Sequence, residues 1–129
     1  MTNQATIFLV DDDEAVLDAL RTSLMLDGFN VESYASGADF LAAYRGNRPG
    51  CLLMDLHMPT MDGLAVQLEL LKRNIRLPII FISGHWMPLD EITALKAGAV
   101  NFLDKPFRRS ALLENIQTAL KLMSARTTR

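Results

Sequence analysis

Thr6-Ile7-Phe8-Leu9-Val10-Asp11-Asp12-Asp13 joins an unbroken apolar run to an unbroken acidic one. The apolar half does not alternate with polar residues, so it reads as a strand buried on both faces rather than one with a wet side. The acidic half cannot continue such a strand. It marks the strand's carboxyl end and gathers like charges there. Four more apolar runs follow: Val31 to Tyr34, Cys51 to Met54, Pro78 to Ser83 and Ala99 to Leu103. Those beginning at Cys51 and Pro78 are again nearly continuous. Between the runs, apolar residues recur at helical spacing. They are Val16, Leu17, Leu20 and Leu24; then Phe40, Leu41 and Tyr44; then Leu64, Leu68 and Leu71; then Ile92 and Leu95; finally Leu112, Leu113, Ile116, Leu120 and Met123. Gly28 stands where a C-cap belongs, Ser36 where an N-cap belongs, Gly98 follows the fourth helical stretch, and Pro88 stiffens its entry. Strand therefore alternates with helix. Strands separated by helices need right-handed crossovers, so the sheet is parallel and the class is a doubly wound three-layer α/β domain. Periodicity leaves the strand order open.

Composition narrows the function. A chain of 129 residues fits one domain able to bury its own core. A formal net charge of −2 argues against a nucleic-acid surface on this chain. Cys51 is the single cysteine, so no intrachain disulfide is possible; it reads as a small buried hydrophobe in a reducing compartment. No apolar run approaches a membrane span, and Met1 to Thr6 lack the features of a signal peptide. The expectation is a soluble cytoplasmic protein. The domain is expected over 1–123, with the polar 124–129 as a frayed tail or the start of a linker.

In an open α/β sheet, ligands bind outside the carboxyl ends of the strands. There the sequence puts Asp11, Asp12 and Asp13 after the first strand, Asp55 after the third, Ser83-Gly84 at the end of the fourth, and Lys105-Pro106 after the fifth. Converging carboxylates repel unless a cation neutralises them. Only oxygen donors are clustered, which points to a hard ion, and few carboxylates with retained waters suit Mg²⁺. A carboxylate can also act as a covalent nucleophile toward phosphorus, giving an aspartyl phosphate. Lys105 would add positive charge and Ser83 a hydrogen-bond donor. Taken singly, each residue has a plainer reading. Asp13 is an N-cap or first-turn acid, Asp11 and Asp12 are solvated loop acids, Asp55 is a turn residue, Ser83 a helix cap, Lys105 a surface charge, and His57 and His85 loop histidines. Their joint placement at the ends of the right strands favours the chemical reading.

These stretches resemble the receiver domains of two-component response regulators. The resemblance rests on Val10-Asp11-Asp12, on Met54-Asp55-Leu56-His57-Met58-Pro59 with Met61-Asp62-Gly63, and on Ile82-Ser83-Gly84-His85. Lys96-Ala97-Gly98-Ala99 and Phe102-Leu103-Asp104-Lys105-Pro106-Phe107 complete it, so it runs from Ile7 to about Met123. The phrasing from Ile82 to His85 and from Lys105 to Phe107 looks most like regulators of the nitrogen-fixation type, which carry a LuxR-like output domain. The resemblance implies a flavodoxin-like fold with strand order 2-1-3-4-5. It implies Asp55 as phosphoacceptor, Mg²⁺ held by Asp11, Asp12, Asp55 and the backbone carbonyl of His57, and Ser83 and Lys105 on the phosphoryl group. It further implies Phe102 as the aromatic switch and a cis bond before Pro106. The implied partner is a sensor histidine kinase, with homodimerisation on activation and DNA reached only through an output domain not present here. The implied outcome is transcription regulation by a phosphorylated switch rather than enzymatic turnover, with only self-assisted phosphotransfer and slow autodephosphorylation.

One stretch departs from the pattern. After Ser83 comes His85-Trp86-Met87-Pro88, where smaller or more polar residues are expected, and Trp86 there reads as a partner contact. Three other classes compete for the same residues. An aspartyl phosphatase of the haloacid-dehalogenase kind would have its nucleophile after the first strand, with a following Thr that Val10-Asp11-Asp12-Asp13-Glu14 lacks. A flavin-binding flavodoxin needs a Ser/Thr/Gly-rich loop where this chain is acidic. A phosphorylation-independent interaction module of the same fold is the most serious rival.

Overall fold

Every long apolar run is a strand, and the acidic or polar residue that ends it also ends the ladder. In the computed structural model, residues 5–84 and 87–127 are described, with side chains to 123. The expectations for His85 and Trp86 lie outside the described residues. The chain runs β1 (Thr6–Val10), α1 (Glu14–Leu26), β2 (Asn30–Tyr34), α2 (Gly37–Ala43), β3 (Gly50–Asp55), α3 (Gly63–Lys72), β4 (Ile79–Ser83), α4 (Pro88–Lys96), β5 (Asn101–Asp104) and α5 (Arg109–Thr127). The five strands form one parallel sheet in the order β2-β1-β3-β4-β5. The order expected from the resemblance therefore holds.

Register is what positions the site. Val10 pairs with Met54, so Asp11 and Asp55 follow side by side. Asp55 pairs with Ile82, one residue before Ser83, and Ser83 pairs with Asp104, one residue before Lys105. The central strands β1, β3 and β4 are buried along their whole length, as their continuous apolar character requires. The edge strands β2 and β5 are only partly covered.

Local signals set the helix ends. Asp13 caps α1, its carboxylate accepting from the N–H groups of Ala15 at 3.0 Å and Val16 at 3.3 Å. Ser36 caps α2 through the Asp39 N–H at 3.0 Å, and Asp62 caps α3 through the Ala65 N–H at 2.9 Å. Gly28 follows α1 at φ +95°, a left-handed turn that lets the Phe29 N–H reach back to the Leu24 carbonyl at 3.1 Å.

Alternation splits the strand side chains between two layers of helix. Phe8, Val10, Leu52, Met54 and Phe81 meet α2, α3 and α4. Ile7, Leu9, Leu53, Ile80 and Ile82 meet α1 and α5. Cys51 lies in this second layer, where burial pushes its thiol up to about 12, as befits a buried hydrophobe.

Two sequence expectations need correcting. The core face of α3 is Val66 and Leu70 with Gln67, whereas Leu68 and Leu71 are 55 % and 48 % exposed. In Gly63-Leu64-Ala65-Val66-Gln67-Leu68-Glu69-Leu70-Leu71 apolar residues fall on nearly every side, so two stripes are available and the sheet selects the other one. In α4 the buried residue is Ala94, and Ile92 and Leu95 face outward. Helix α5 runs to Thr127, and Ser124-Ala125-Arg126-Thr127 contains no glycine or proline to end it sooner.

Candidate functional site

Four strand ends converge on one acidic hollow. Carboxylate oxygens of Asp11, Asp12 and Asp55 lie within 4.8 Å of one another. Asp11 is buried at 1 % exposure, and its Oδ1 accepts from the Asp13 N–H at 2.9 Å, which fixes the carboxylate as the chain turns into α1. Asp55 is buried too, and its Oδ1 accepts from the His57 N–H at 3.3 Å. Asp12 is exposed at the mouth. From the opposite side the Lys105 ammonium reaches Asp11 Oδ2 at 3.3 Å and Asp55 Oδ2 at 3.6 Å.

The electrostatics are unbalanced. Burial raises the Asp55 carboxyl above its ordinary value, and the neighbouring Asp11 charge pushes the same way. Lys105 and the His57 N–H oppose the shift without cancelling it. One ammonium is thus set against three acids. An oxygen-only donor set with surplus negative charge fits a hard divalent cation such as Mg²⁺.

The surrounding elements explain why these side chains stay in place. Gly63 opens α3 directly beneath Asp55. A Cβ on it would come within 2.8 Å of both the Asp55 carbonyl oxygen and a ring carbon of Phe81, so only glycine allows this approach. The Gly63 N–H also donates to the Leu56 carbonyl at 2.8 Å, stitching the loop after β3 to α3. Ser83 is buried at the end of β4, and its carbonyl accepts from the Lys105 N–H at 2.9 Å, which ties hydroxyl-bearing and amine-bearing residues together. The Lys105–Pro106 peptide bond is cis. Phe102 is buried in β5 against Phe81, with ring centroids 5.3 Å apart.

Asp11, Asp12, Asp55 and Lys105 therefore share one cluster. Ser83 adjoins it through the backbone, and His57 lies on its rim with an exposed side chain. Asp13 faces away into its capping role. Sequence reasoning missed Gly63 as a spacer and Gln67 as a buried polar group. Gly63 had a signal, an unexplained glycine inside a helix-forming stretch just after a cap residue. Gln67 had none.

The model of the response regulator receiver domain matches residues 7–117. The chain belongs to that family. Receiver domains are signalling modules of two-component response regulators rather than classical enzymes. The chain is similar to the response regulator protein TodT of Pseudomonas putida F1, 45 % identical over 123 residues, which are 95 % of this chain and 54 % of that one. It is similar to the transcriptional regulatory protein FixJ of Rhizobium meliloti, 39 % identical over 114 residues, 88 % of this chain and 56 % of FixJ. The likeness to a nitrogen-fixation-type regulator therefore holds. The chain thus spans about half the length of the curated relatives it matches. The crystal structure of FixJ-N superposes with a TM-score of 0.86 at 37 % identity, covering 94 % of this chain and 96 % of that one. Among the described residues, no helix is long and apolar enough to cross a membrane.

Proposed function

We propose that the chain is a phosphorylation-activated switch that accepts a phosphoryl group on Asp55. The observation that carries this is the meeting of the Asp11, Asp12 and Asp55 carboxylates with the Lys105 ammonium at the carboxyl edge of the sheet. An Asp55 oxygen forms a bond to phosphorus as the phosphorus–nitrogen bond of a donor phosphohistidine breaks, giving an aspartyl phosphate. Asp11, Asp12, Asp55 and the His57 backbone carbonyl are the residues that would hold Mg²⁺. Bound there, the ion supplies neutralising charge for the phosphoryl oxygens. Lys105 keeps a second positive charge against the same oxygens, and the Ser83 hydroxyl donates to one of them.

The readout follows from packing. As the phosphoryl group draws Ser83 inward, Phe102 turns into the vacated space and the face formed by α4, β5 and α5 changes shape. This is a local charge event biasing a bistable element. Hydrolysis of the acyl phosphate resets it. Resemblance to transcriptional regulators supports a cytoplasmic chain, a sensor histidine kinase as donor, homodimerisation through the altered face, and DNA reached through a separate output domain.

The test is intact mass after incubation with acetyl phosphate and Mg²⁺, beside Asp55→Asn. The expected result is one phosphoryl adduct on the parent, dependent on Mg²⁺ and absent from the variant. No adduct, under conditions that label a control receiver, would leave a phosphorylation-independent interaction module instead.

A further inference from the structure

We propose that Gln67 is a latch that holds the carboxyl end of α4 in its resting place and lets go when the switch is thrown. This rests on the switch reading above. Glutamine is seldom buried, and a buried amide is costly unless it is bonded. Gln67 is nevertheless 3 % exposed, on the inner side of α3 beside Val66 and Leu70. Its Nε2 donates to the Ala94 carbonyl at 3.0 Å. That carbonyl also accepts from the Ala99 N–H at 3.0 Å, the bond that closes α4 around Gly98 at φ +104°. The glutamine therefore grips the turn through which α4 leads into β5, the strand that carries Phe102 and is followed directly by Lys105.

A second observation gives the latch something to hold. Among the described residues of α4, Ala94 is the one fully buried, so a single methyl group is this helix's share of the core. Clefts of about 280 Å³ and 250 Å³ open beside it, and Gln67, Leu71 and Ala97 line both. A helix with so small a stake in the core and open space alongside can shift at little packing cost. The Gln67 bond is the specific contact that distinguishes its resting position from a shifted one. Breaking it does not strand the Ala94 carbonyl, which keeps its bond from Ala99, so the latch has the modest strength a reversible device needs.

Linkage gives a test with a defined sign. A contact made only in the resting state opposes any ligand that favours the activated one. The probe is beryllofluoride with Mg²⁺, a stable phosphoryl mimic, titrated by calorimetry into the parent, Gln67→Leu and Leu26→Ala. Gln67→Leu should bind about fivefold more tightly than the parent, the worth of one ordinary hydrogen bond. Leu26→Ala, altered at an exposed position of α1 away from both clefts, should bind as the parent does. Without ligand, the amides of Gly98 and Ala99 should exchange faster in Gln67→Leu while those of α1 do not change. Unchanged affinity in Gln67→Leu, even with lowered stability, overturns the latch and leaves the switch reading intact. A parent that binds no beryllofluoride overturns the switch reading, and the latch with it. Should the leucine variant fail to fold, Gln67→Met keeps the volume without the donor and answers the same question.

Discussion

Ile7, Leu9, Cys51, Leu53, Ile80 and Ile82 pack beneath α1 and α5 with Leu17, Leu24, Leu112 and Ile116, and among the described residues no ring is fully buried in that layer. The opposite layer is built around rings. Phe8, Phe40 and Tyr44 form one group, with Phe40 and Tyr44 stacked at 5.3 Å, and Phe81 with Phe102 forms another. Branched aliphatic side chains interlock into a dense layer with few alternative packings. Aromatic plates meet by faces and edges and leave seams through which a ring can turn. The seamed layer also holds α4, with its single buried alanine, and the buried Gln67. The site draws on both. By alternation Asp11 and Asp55 continue the aliphatic rows of Ile7-Leu9 and Cys51-Leu53, whereas Ser83 continues the row of Phe81. The two buried acids thus stand on the dense layer, and the hydroxyl proposed to move stands on the layer able to rearrange.

The sharpest challenge to this contrast is a pair of leucine truncations. Leu24→Ala empties a fully buried place in the aliphatic layer and should cost about 3 kcal/mol in urea unfolding. Leu68→Ala, on the outside of the aromatic layer, should cost less than about 1 kcal/mol. Equal losses would put Leu68 back on the core stripe that its spacing first suggested. The next largest effect is expected at the junction of the layers. Gly63→Ala pushes a methyl group against Phe81 and the Asp55 carbonyl, so overpacking should cost about 2 kcal/mol. Because the strain falls on the residues that support Asp55, the same variant should also accept phosphoryl from acetyl phosphate more slowly. A variant destabilised but labelled at the parental rate would separate the seam from the site.

The contrast also accounts for what could be read in advance. Strands buried on both faces announce themselves as continuous apolar runs, and caps such as Asp13 and Ser36 act on neighbours two or three residues away, so both were legible. The grouping of Asp11, Asp12, Asp55 and Lys105 was legible because strand ends in a parallel sheet share an edge. Strand order came from resemblance, not from spacing. The inner face of α3 was hidden by too many leucines. That of α4 was hidden because Ala94 carries almost no apolar signal. Gln67 was hidden because a polar residue in a helix reads as outward-facing until its partner, distant in sequence, is known. What local chemistry dictates was visible, and what the aromatic layer decides through long-range packing was not.

The smallest predicted effect concerns the charge carried by the dense layer. Burial and Asp11 penalise the ionised form of Asp55, so its carboxyl in the folded chain titrates above the ordinary value of the unfolded one. Between those two values the folded chain binds the extra proton, and stability falls as pH rises through that window. Above the window the penalty is present in full; below the ordinary carboxylate value it is gone. Asp55→Asn keeps the shape and removes the charge. In metal-free buffer the variant should therefore be more stable than the parent at neutral pH, and the gap should close on acidification through the carboxylate range. Urea midpoints across that range measure it. A gap of opposite sign would mean that the Lys105 pairing outweighs burial and the Asp11 repulsion, and that the acids on this layer support the fold. Mg²⁺ sharpens the same comparison, since an ion bound only by the folded parent raises its midpoint with concentration. It should leave Asp55→Asn much less affected, because one of the proposed ligands has lost its charge.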